Sequence, residues 1–211
     1  MLFLVTGGNG FLGSHVCEAL LEAGHRVRSL IQPGTGVENL IGLDVETLQG
    51  DLSDMAALER ACTGCEAVIH LAALAKDYGP WELFEKVNIQ GTRNILEAAA
   101  RKGVRRFVFT SSLSIHGFHE WEDACEEAPL DGAGNPYTWS KILGESLVKR
   151  FHREGKLEGV IARPGYFPFG PKDRTSFFPL AEAMEKGLYR RVGSGKAKTC
   201  TVYAGSLAEG M

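Results

Sequence analysis

The hydrophobic positions of the chain form short continuous runs that alternate with longer stretches in which apolar residues recur every three or four positions. Short apolar runs are typical of strands buried on both faces of a parallel sheet, and the longer pattern is typical of helices packed on it. Such runs at 2–5 and within 66–70, together with short segments of mixed apolar and polar residues in the same alternation, predict strands at 2–5, 26–31, 45–49, 66–70, 105–109 and 158–162. The longer stretches predict helices at 12–23, 54–61, 81–101, 136–154 and 177–186. This alternation predicts an α/β fold, a doubly wound parallel sheet with helices on both faces.

The first predicted strand runs directly into a glycine-rich turn, in which Gly7, Gly10 and Gly13 have the spacing G-x-x-G-x-x-G. The first glycine permits a tight turn, the second lets a pyrophosphate approach the backbone, and the third lets the following helix pack closely. The N-terminus of that helix presents N–H groups and a positive dipole end to phosphates. The motif predicts a dinucleotide-binding, Rossmann-type domain over residues 1–165. The regular pattern fades after that, so 166–211 is interpreted as the beginning of a substrate-binding region.

The end of the second predicted strand bears on the choice between NAD and NADP. An acidic residue there usually binds a free ribose 2′-hydroxyl, and an arginine usually binds a 2′-phosphate. The chain has Ile31-Gln32-Pro33-Gly34, which is neither, and no lysine or arginine occurs between Arg28 and Arg60. The sequence therefore favours NAD, with Arg28 as the one cation that could reach a 2′-phosphate.

Tyr137 and Lys141 are four residues apart in a predicted helix, so their side chains share one face. A nearby ammonium favours the phenolate, which would lower the phenol's pKa from about 10 and make it a usable acid–base catalyst. Ser112, upstream at a strand end, could hold a substrate oxygen beside that phenol. The alternatives are an ordinary amphipathic helix start for the pair, and Ser111 or Ser114 in place of Ser112.

Composition narrows the function classes. Apolar residues make up 44% of the 211 residues and charged residues 23%, with a net charge of −3. No basic cluster favours nucleic acid, and no apolar run reaches the ~20 residues of a membrane span. The N-terminus does not resemble a cleavable leader, so a cytoplasmic location is expected. Five cysteines with irregular spacing do not suggest disulfides, and neither Cys62-Thr63-Gly64-Cys65 nor His116 with His119 has the further ligands of a metal site.

Several sequence blocks accompany the glycine turn along the chain: Thr6-Gly7-Gly8-Asn9-Gly10-Phe11-Leu12-Gly13, Gly50-Asp51-Leu52, His70-Leu71-Ala72-Ala73, Asn88-Ile89-Gln90-Gly91-Thr92, Thr110-Ser111-Ser112, and Arg163-Pro164-Gly165-Tyr166. The motif Tyr137-Thr138-Trp139-Ser140-Lys141 completes them. In their content and order these blocks together resemble the extended short-chain dehydrogenase/reductase family, also called the NAD-dependent epimerase/dehydratase family.

The resemblance implies roles for individual residues. Cofactor binding falls to Gly7, Gly10, Phe11, Leu12, Gly13, Asp51, Leu52, Leu71, Ala72, Ala73, Tyr137, Lys141 and Pro164. Asp51 would bind the adenine amino group, although it could instead cap the helix that follows. Asn88 would support the active-site strand, and Ser112, Tyr137 and Lys141 would be catalytic. Apart from the resemblance, His70 is expected to pack or bond locally and not to catalyse.

Within the family, Ala72-Ala73, Tyr78-Gly79-Pro80-Trp81 and the segment Arg190–Gly195 are most similar to the 3β-hydroxysteroid dehydrogenase and dihydroflavonol reductase branch. This implies hydride transfer between a nicotinamide and a sterol-like or flavonoid-like secondary alcohol or ketone. The alternatives are a nucleotide-sugar epimerase or dehydratase with tightly bound NAD, and a non-catalytic nucleotide-binding protein.

The resemblance also bears on partners and on the end of the chain. It implies a homodimer in which the helix at 81–101 pairs with the helix at 136–154 of a second copy. Members of the family usually continue well beyond the position that corresponds to residue 211, and the additional residues form much of the substrate pocket. The substrate-binding region in this sequence is therefore expected to be incomplete. The acidic residues Glu120, Glu122, Asp123, Glu126 and Glu127, with Trp121, are interpreted as a solvated loop, with a substrate lid as the alternative.

Overall fold

A computed structural model describes residues 1–117, 119, 124–132, 134–175, 177–191, 193–196 and 198–211. Six parallel strands form the central sheet: β1 (Leu2–Thr6), β2 (Arg26–Ile31), β3 (Val45–Gln49), β4 (Ala67–His70), β5 (Arg106–Thr110) and β6 (Glu158–Ala162). Their order across the sheet is β3-β2-β1-β4-β5-β6. This is the doubly wound Rossmann order, whose direction reverses between β1 and β4. The predicted fold class and all six predicted strands are therefore confirmed.

Helices cover both faces of the sheet. They are α1 (Phe11–Glu22), α2 (Met55–Cys62), α3 (Trp81–Phe84), α4 (Gly91–Arg101), α5 (Pro136–Arg153), α6 (Phe177–Glu185) and α7 (Ala204–Glu209). Among the described residues, none of these helices has the length and apolarity needed to cross a membrane.

Local sequence explains where the principal helices begin. Asp54 caps α2 by accepting a hydrogen bond from the Ala57 N–H at 3.0 Å. Asn135 caps α5 in the same way through the Tyr137 N–H at 2.8 Å, and Pro136 occupies the first helical position, where its missing N–H costs nothing. The cap on α2 is thus Asp54 and not Asp51, which excludes the capping alternative for Asp51.

The sequence prediction of one regular helix over 81–101 is wrong in detail. The segment is helical throughout, but Glu85–Gln90, between α3 and α4, is a π-helix. The Asn88 side chain within it bonds both the N–H and the carbonyl of Leu74, at 2.7 and 3.1 Å. Single-turn π segments are frequent at functional sites, and here the widened turn accompanies a tertiary contact that has no local sequence signal.

The C-terminal residues add a small second sheet and a final helix. Strands β7 (Phe167–Phe169) and β8 (Thr201–Tyr203) pair in parallel, and neither was predicted. Helix α7 packs on α1, and Ala208 joins the apolar cluster beneath that face of the sheet. No residue of α6 is buried.

Candidate active site

The glycine turn lies at the carboxyl end of β1 and begins with a residue that only glycine adopts easily. Gly7 has φ +73°, and a Cβ there would lie 3.0 Å from the Ala72 N atom. A Cβ on Gly13 would collide with the carbonyl oxygen of Gly7. At Gly10 the nearest atom to an added Cβ is that same carbonyl oxygen, at 3.2 Å, so this position borders open space. Helix α1 begins there without a side-chain cap or an acidic residue in its first turn.

These features fit a dinucleotide. A turn free of side chains leads into the uncapped N-terminus of a twelve-residue helix, which is the geometry that binds a pyrophosphate. Phe11 and Leu12, which the resemblance assigns to the cofactor, are the first two residues of the helix. The turn stands where the strand order reverses, the place at which open α/β sheets bind ligands.

A network that the sequence did not reveal joins the glycine turn to the loop after β2. The Asn9 side chain donates to the Gly36 carbonyl at 2.7 Å and to Thr35 Oγ1 at 3.0 Å. In return, Asn39 donates to the Asn9 carbonyl at 3.0 Å. Asparagine in a glycine-rich turn gives no sign of a partner 26 residues away, so only the fold could identify this contact.

Asp51 follows β3 at the same edge of the sheet. Its carboxylate accepts hydrogen bonds from the N–H and hydroxyl of Ser53, at 2.8 and 2.7 Å, and these hold its pKa below the ordinary value. Gln32 donates to its other oxygen at 3.3 Å. Leu52 lies next to α4, where Asn94 donates to its carbonyl at 2.8 Å.

The segment after β4 is tied to β1 through a buried histidine. His70 Nδ1 lies 2.7 Å from Thr6 Oγ1, and its Nε2 lies 3.0 Å from Thr92 Oγ1. Because the Thr92 hydroxyl donates to the Asn88 carbonyl, it accepts from His70, which places the imidazole proton on Nε2. Burial lowers the pKa of His70 to about 3, so the ring is neutral. The prediction that His70 bonds locally is confirmed.

Thr6 also fixes the backbone that the resemblance assigns to the cofactor. Its carbonyl accepts from the Leu71 N–H at 3.2 Å, and its hydroxyl accepts from the Ala72 N–H at 3.2 Å. Ala73 follows directly, and Leu74 is held by Asn88. Asn88 therefore supports this segment and, through a 2.8 Å bond to Ser140 Oγ, helix α5. It does not bond β5, the strand that the resemblance implied.

Tyr137 and Lys141 lie one turn apart on α5, as the spacing predicted. The Lys141 side chain is 4% exposed, and its ammonium donates to the Thr110 carbonyl at the end of β5, at 2.8 Å. The ammonium lies 5.6 Å from the centre of the Tyr137 ring and 5.0 Å from that of Phe109. The helix thus brings the ammonium between the phenol and the strand that leads to Ser112.

The expected lowering of the phenol's pKa by the lysine is not observed. Burial raises the pKa of Tyr137 to about 12, and the Asp77 carboxylate adds to the rise. Burial also lowers the pKa of the Lys141 ammonium to about 8. The tyrosine therefore holds its proton at neutral pH, which suits it to donate that proton to a substrate oxygen.

Ser112 is the accessible hydroxyl among the three that the sequence left open. It is partly exposed, whereas Ser111 and Ser114 are 2% and 8% exposed. Its Oγ accepts from the Ser114 N–H at 3.1 Å, and Ser114 Oγ in turn accepts from Thr138 on α5 at 3.3 Å. Pro164, the buried residue implied for the cofactor, accepts from the Leu113 N–H at 2.9 Å and flanks the same strand end.

The structure does not place the other candidate residues from the sequence, which are Arg28, the two cysteines and the acidic segment, among the residues of this site. Arg28 donates to the carbonyls of Ala61 and Thr63 and contacts Glu46 at 2.9 Å, so it is committed to the surroundings of α2. Cys62 and Cys65 are buried thiols whose pKa values are raised by burial. Within the described ranges, no group of three or more His, Cys, Asp or Glu residues could hold a metal ion. Of the acidic segment, residues 120–123 lie outside the described residues, and Glu126 and Glu127 are exposed.

The fold and the site together define a class: α/β proteins with a dinucleotide cradle at the switch point of a parallel sheet and a tyrosine–lysine pair on a neighbouring helix. The NAD dependent epimerase/dehydratase family model matches residues 3–211, and the chain belongs to that family.

The similar proteins include both oxidoreductases and an epimerase. The chain is 33% identical to the 2-alkyl-3-oxoalkanoate reductase of Stenotrophomonas maltophilia, over 99% of this chain and 63% of that protein. It is 33% identical to the 3 beta-hydroxysteroid dehydrogenase/Delta 5-->4-isomerase of Mycobacterium tuberculosis, over 98% of this chain and 58% of that protein. The chain thus spans about three fifths of the length of these relatives. The crystal structure of Thermus thermophilus UDP-glucose 4-epimerase in complex with NAD superposes with a TM-score of 0.83, at 33% identity, over 99% of this chain and 72% of that one.

Burial of the Lys141 ammonium is expected to make the free energy of unfolding depend on pH. Since the pKa of Lys141 is about 8 in the folded state and 10.5 ordinarily, the unfolded chain binds more protons between these values. Stability then rises with pH through this window. We expect the free energy of unfolding of the wild type, minus that of Lys141→Met, to increase by about 2 kcal/mol from about pH 7 to 9.5. Urea denaturation at each pH measures this difference.

The matched control for this pH series is Lys186→Met, because the Lys186 side chain is 64% exposed. Its difference from the wild type should stay flat over the same range. A flat difference for Lys141→Met as well would mean that the buried ammonium keeps its ordinary pKa, and would contradict the prediction. The series stays below pH 10 because Tyr137, with its raised pKa, contributes the opposite slope above it.

Proposed function

We propose that this chain is the cofactor-binding and catalytic part of an NAD-dependent reductase that interconverts a ketone and a secondary alcohol. The observation that carries the proposal is the juxtaposition of Tyr137, Lys141 and the end of β5, held by the 2.8 Å bond from the ammonium to the Thr110 carbonyl. This strand end is separated only by β4 from the strand that carries the glycine turn. A proton donor and a dinucleotide cradle therefore share one edge of the sheet.

The chain's own residues supply the proton chemistry. In reduction, the Tyr137 phenol donates its proton to the carbonyl oxygen of the substrate. A bound nicotinamide would supply the hydride that the carbonyl carbon receives. The Ser112 hydroxyl donates a hydrogen bond to the same oxygen as negative charge develops on it. The Lys141 ammonium, 5.6 Å from the centre of the Tyr137 ring, would offset part of the negative charge on the phenolate that remains, against the burial that disfavours it. In the oxidative direction the phenolate takes the proton back.

The proposed cofactor is NAD, because the loop after β2 offers little to a 2′-phosphate. Arg28, the candidate cation, is bonded to carbonyls beside α2. Gln32 is bonded to Asp51, and Thr35 to Asn9. One cation that approaches this loop is Lys172, whose ammonium donates to the Asn39 carbonyl at 3.2 Å and is thereby engaged. Lys172 lies 133 residues from Asn39 along the chain, so the sequence alone could not show that the two are in contact.

The proposed substrate is an apolar ketone or secondary alcohol. The reductase relative, matched over 99% of this chain, supports this choice, and so does the 3 beta-hydroxysteroid dehydrogenase relative. An epimerase is the alternative, supported by the likeness to the NAD complex of UDP-glucose 4-epimerase. The two differ in the fate of the hydride: a reductase releases oxidised NAD, and an epimerase returns the hydride to its substrate.

Calorimetric titration with NAD, NADH, NADP and NADPH tests the cofactor, and we expect micromolar binding of the NAD pair alone. Turnover of a 2-alkyl-3-oxoalkanoate with NADH and of a 3β-hydroxysteroid with NAD is then followed by NADH absorbance. Conversion of the third probe, UDP-glucose, which leaves NADH unchanged overall, is followed by chromatographic separation of the sugar nucleotides. The reductase predicts cofactor-dependent change with one of the first two. NAD that co-purifies with the chain, together with conversion of UDP-glucose without added cofactor, would establish the epimerase instead. Binding without any turnover would indicate a non-catalytic nucleotide-binding protein.

A further inference from the structure

An ion pair with a buried carboxylate and a largely buried guanidinium lies behind the proposed catalytic groups. The Glu145 carboxylate, on α5, is 1% exposed, and Arg163, directly after β6, is 11% exposed. Arg163 binds it through two parallel hydrogen bonds, from Nε to Oε1 at 2.9 Å and from a terminal nitrogen to Oε2 at 2.8 Å. Lys149 adds a third bond to Oε2 at 3.2 Å. Burial works against the carboxylate, but the Arg163 guanidinium holds the pKa of Glu145 below its ordinary value.

Glu145 belongs to the same helical face as the tyrosine and lysine. It follows Lys141 by four residues and Tyr137 by eight, so the three side chains form one stripe along α5. An interaction that holds Glu145 in place therefore also restrains α5, both along its axis and in rotation, and with it Tyr137.

Arg163 belongs to the backbone that holds Ser112. Beyond the end of β5, the Ser111 N–H donates to the Ala162 carbonyl at 2.7 Å, and the Leu113 N–H donates to the Pro164 carbonyl at 2.9 Å. These two bonds flank Ser112 on one side and Arg163 on the other. The position of Arg163 thus sets the position of the strand end that presents the Ser112 hydroxyl.

The remaining terminal nitrogen of Arg163 extends the contact to a third element. It donates to the Glu126 carbonyl at 2.7 Å and lies 3.3 Å from His116 Nε2. Because a guanidinium can only donate, Nε2 accepts, and the imidazole proton lies on Nδ1, which donates to the Pro129 carbonyl at 3.1 Å. One guanidinium therefore joins α5, the end of β6 and the loop after Ser112.

Stability alone does not explain such a pair. Two desolvated charges are often no better for stability than two apolar residues of similar volume, although removing only one is costly. What a bidentate arginine–carboxylate pair supplies is fixed geometry. We propose that Arg163 and Glu145 are positioning residues, which set the distance between the Ser112 hydroxyl and the Tyr137 phenol. The inference rests on the proposed hydride-transfer function, because it assigns the pair a role in that reaction.

The test replaces both partners at once, Glu145→Leu with Arg163→Met, so that no unpaired charge stays buried. With whichever probe the wild type turns over, we expect kcat to fall about 10²-fold, the loss that a displacement of about 1 Å can cause. KM for the probe and the calorimetric Kd for NADH should stay near the wild-type values. A second variant, Arg163→Lys, keeps the positive charge but cannot form the two parallel hydrogen bonds. Its kcat should fall less than that of the double variant, with KM and the Kd for NADH unchanged.

A spectroscopic readout makes the test independent of turnover. The ¹³Cζ resonance of Tyr137, assigned by its absence in Tyr137→Phe, should move in the double variant. The matched control is Arg150→Met with Glu154→Gln, an exposed pair on the same helix at 3.8 Å, which should move neither the resonance nor kcat.

The outcomes separate this inference from the proposed function. If the wild type turns over and the double variant keeps both kcat and the Tyr137 resonance, the positioning role is wrong. If the wild type turns over none of the probes, the proposed function fails, and the resonance alone decides whether the pair positions the phenol. If the double variant no longer binds NADH, Arg163→Lys decides in its place, and an unchanged kcat and resonance there would overturn the inference.

Discussion

Replacing Tyr137 with phenylalanine is expected to lower kcat by about 10²–10⁴-fold, the range that a positioned acid or base contributes. The phenol is the proton donor in the proposed reduction, and burial raises its pKa to about 12, so it holds the proton at neutral pH. Phenylalanine keeps the ring that lies 5.6 Å from the Lys141 ammonium and removes only the hydroxyl. The calorimetric Kd for NADH should therefore change little. Steady-state kinetics with the probe that the wild type accepts measures the effect.

The control for this substitution is Tyr189→Phe, which removes a phenol from a side chain that is 47% exposed and follows α6. It should leave the Kd for NADH near the wild-type value, and any kinetic change should fall on KM, because Tyr189 lies in the region interpreted as substrate-binding and takes no part in the proposed proton transfer. A Tyr137→Phe variant with unaltered kcat would show that another group moves the proton. If Tyr137→Phe also loses NADH binding, the hydroxyl is needed to bind the cofactor, and the loss of kcat would not by itself show a role in proton transfer.

The sequence predicted the catalytic pair but not its electrostatics. The i, i+4 spacing is a property of the helix, so the shared face of Tyr137 and Lys141 was available from the sequence. The bond from Lys141 to Thr110 spans 31 residues and depends on how α5 packs on β5. The direction of the phenol's pKa was predicted wrongly, because a charge four residues away was visible in the sequence and burial was not.

The same division applies to the fold. All six strands were predicted to within one residue at each end. β1 and β4, in the middle of the sheet, are almost unbroken apolar runs, whereas β3, at its edge, mixes apolar and polar residues. The start of α5 followed from Asn135 and Pro136, which carry their capping signal locally. The π-helical turn and the β7–β8 pair were missed. The first is accompanied by the contact of Asn88 with Leu74, and the second joins three-residue strands too short to show a period.

A substitution of Gly13 by alanine is expected to damage both folding and nucleotide binding. Alanine is intrinsically better than glycine in a helix interior by about 1 kcal/mol, so propensity alone predicts stabilisation. Its Cβ would instead collide with the Gly7 carbonyl and come within 2.7 Å of the Gly8 Cα, and both are backbone atoms that cannot rotate away. Overpacking of this kind costs about 1–3 kcal/mol and displaces the turn. We expect a net loss of stability in urea denaturation, and a Kd for NAD raised more than about tenfold, or ~1.4 kcal/mol.

Gly10→Ala separates the two effects, because its Cβ would meet only the Gly7 carbonyl oxygen, at 3.2 Å, and would otherwise point into open space at the start of α1. Its stability should stay within about 1 kcal/mol of the wild type, since an N-cap glycine is modestly better than alanine. The methyl group would nevertheless occupy the space where a pyrophosphate approaches the helix N-terminus, so the Kd for NAD should rise as in Gly13→Ala. Unchanged NAD affinity in a stably folded Gly10→Ala protein would show that the glycine turn is not the nucleotide cradle. Unchanged stability in Gly13→Ala would show that α1 can shift away from the turn, and the close packing assigned to Gly13 would then be wrong.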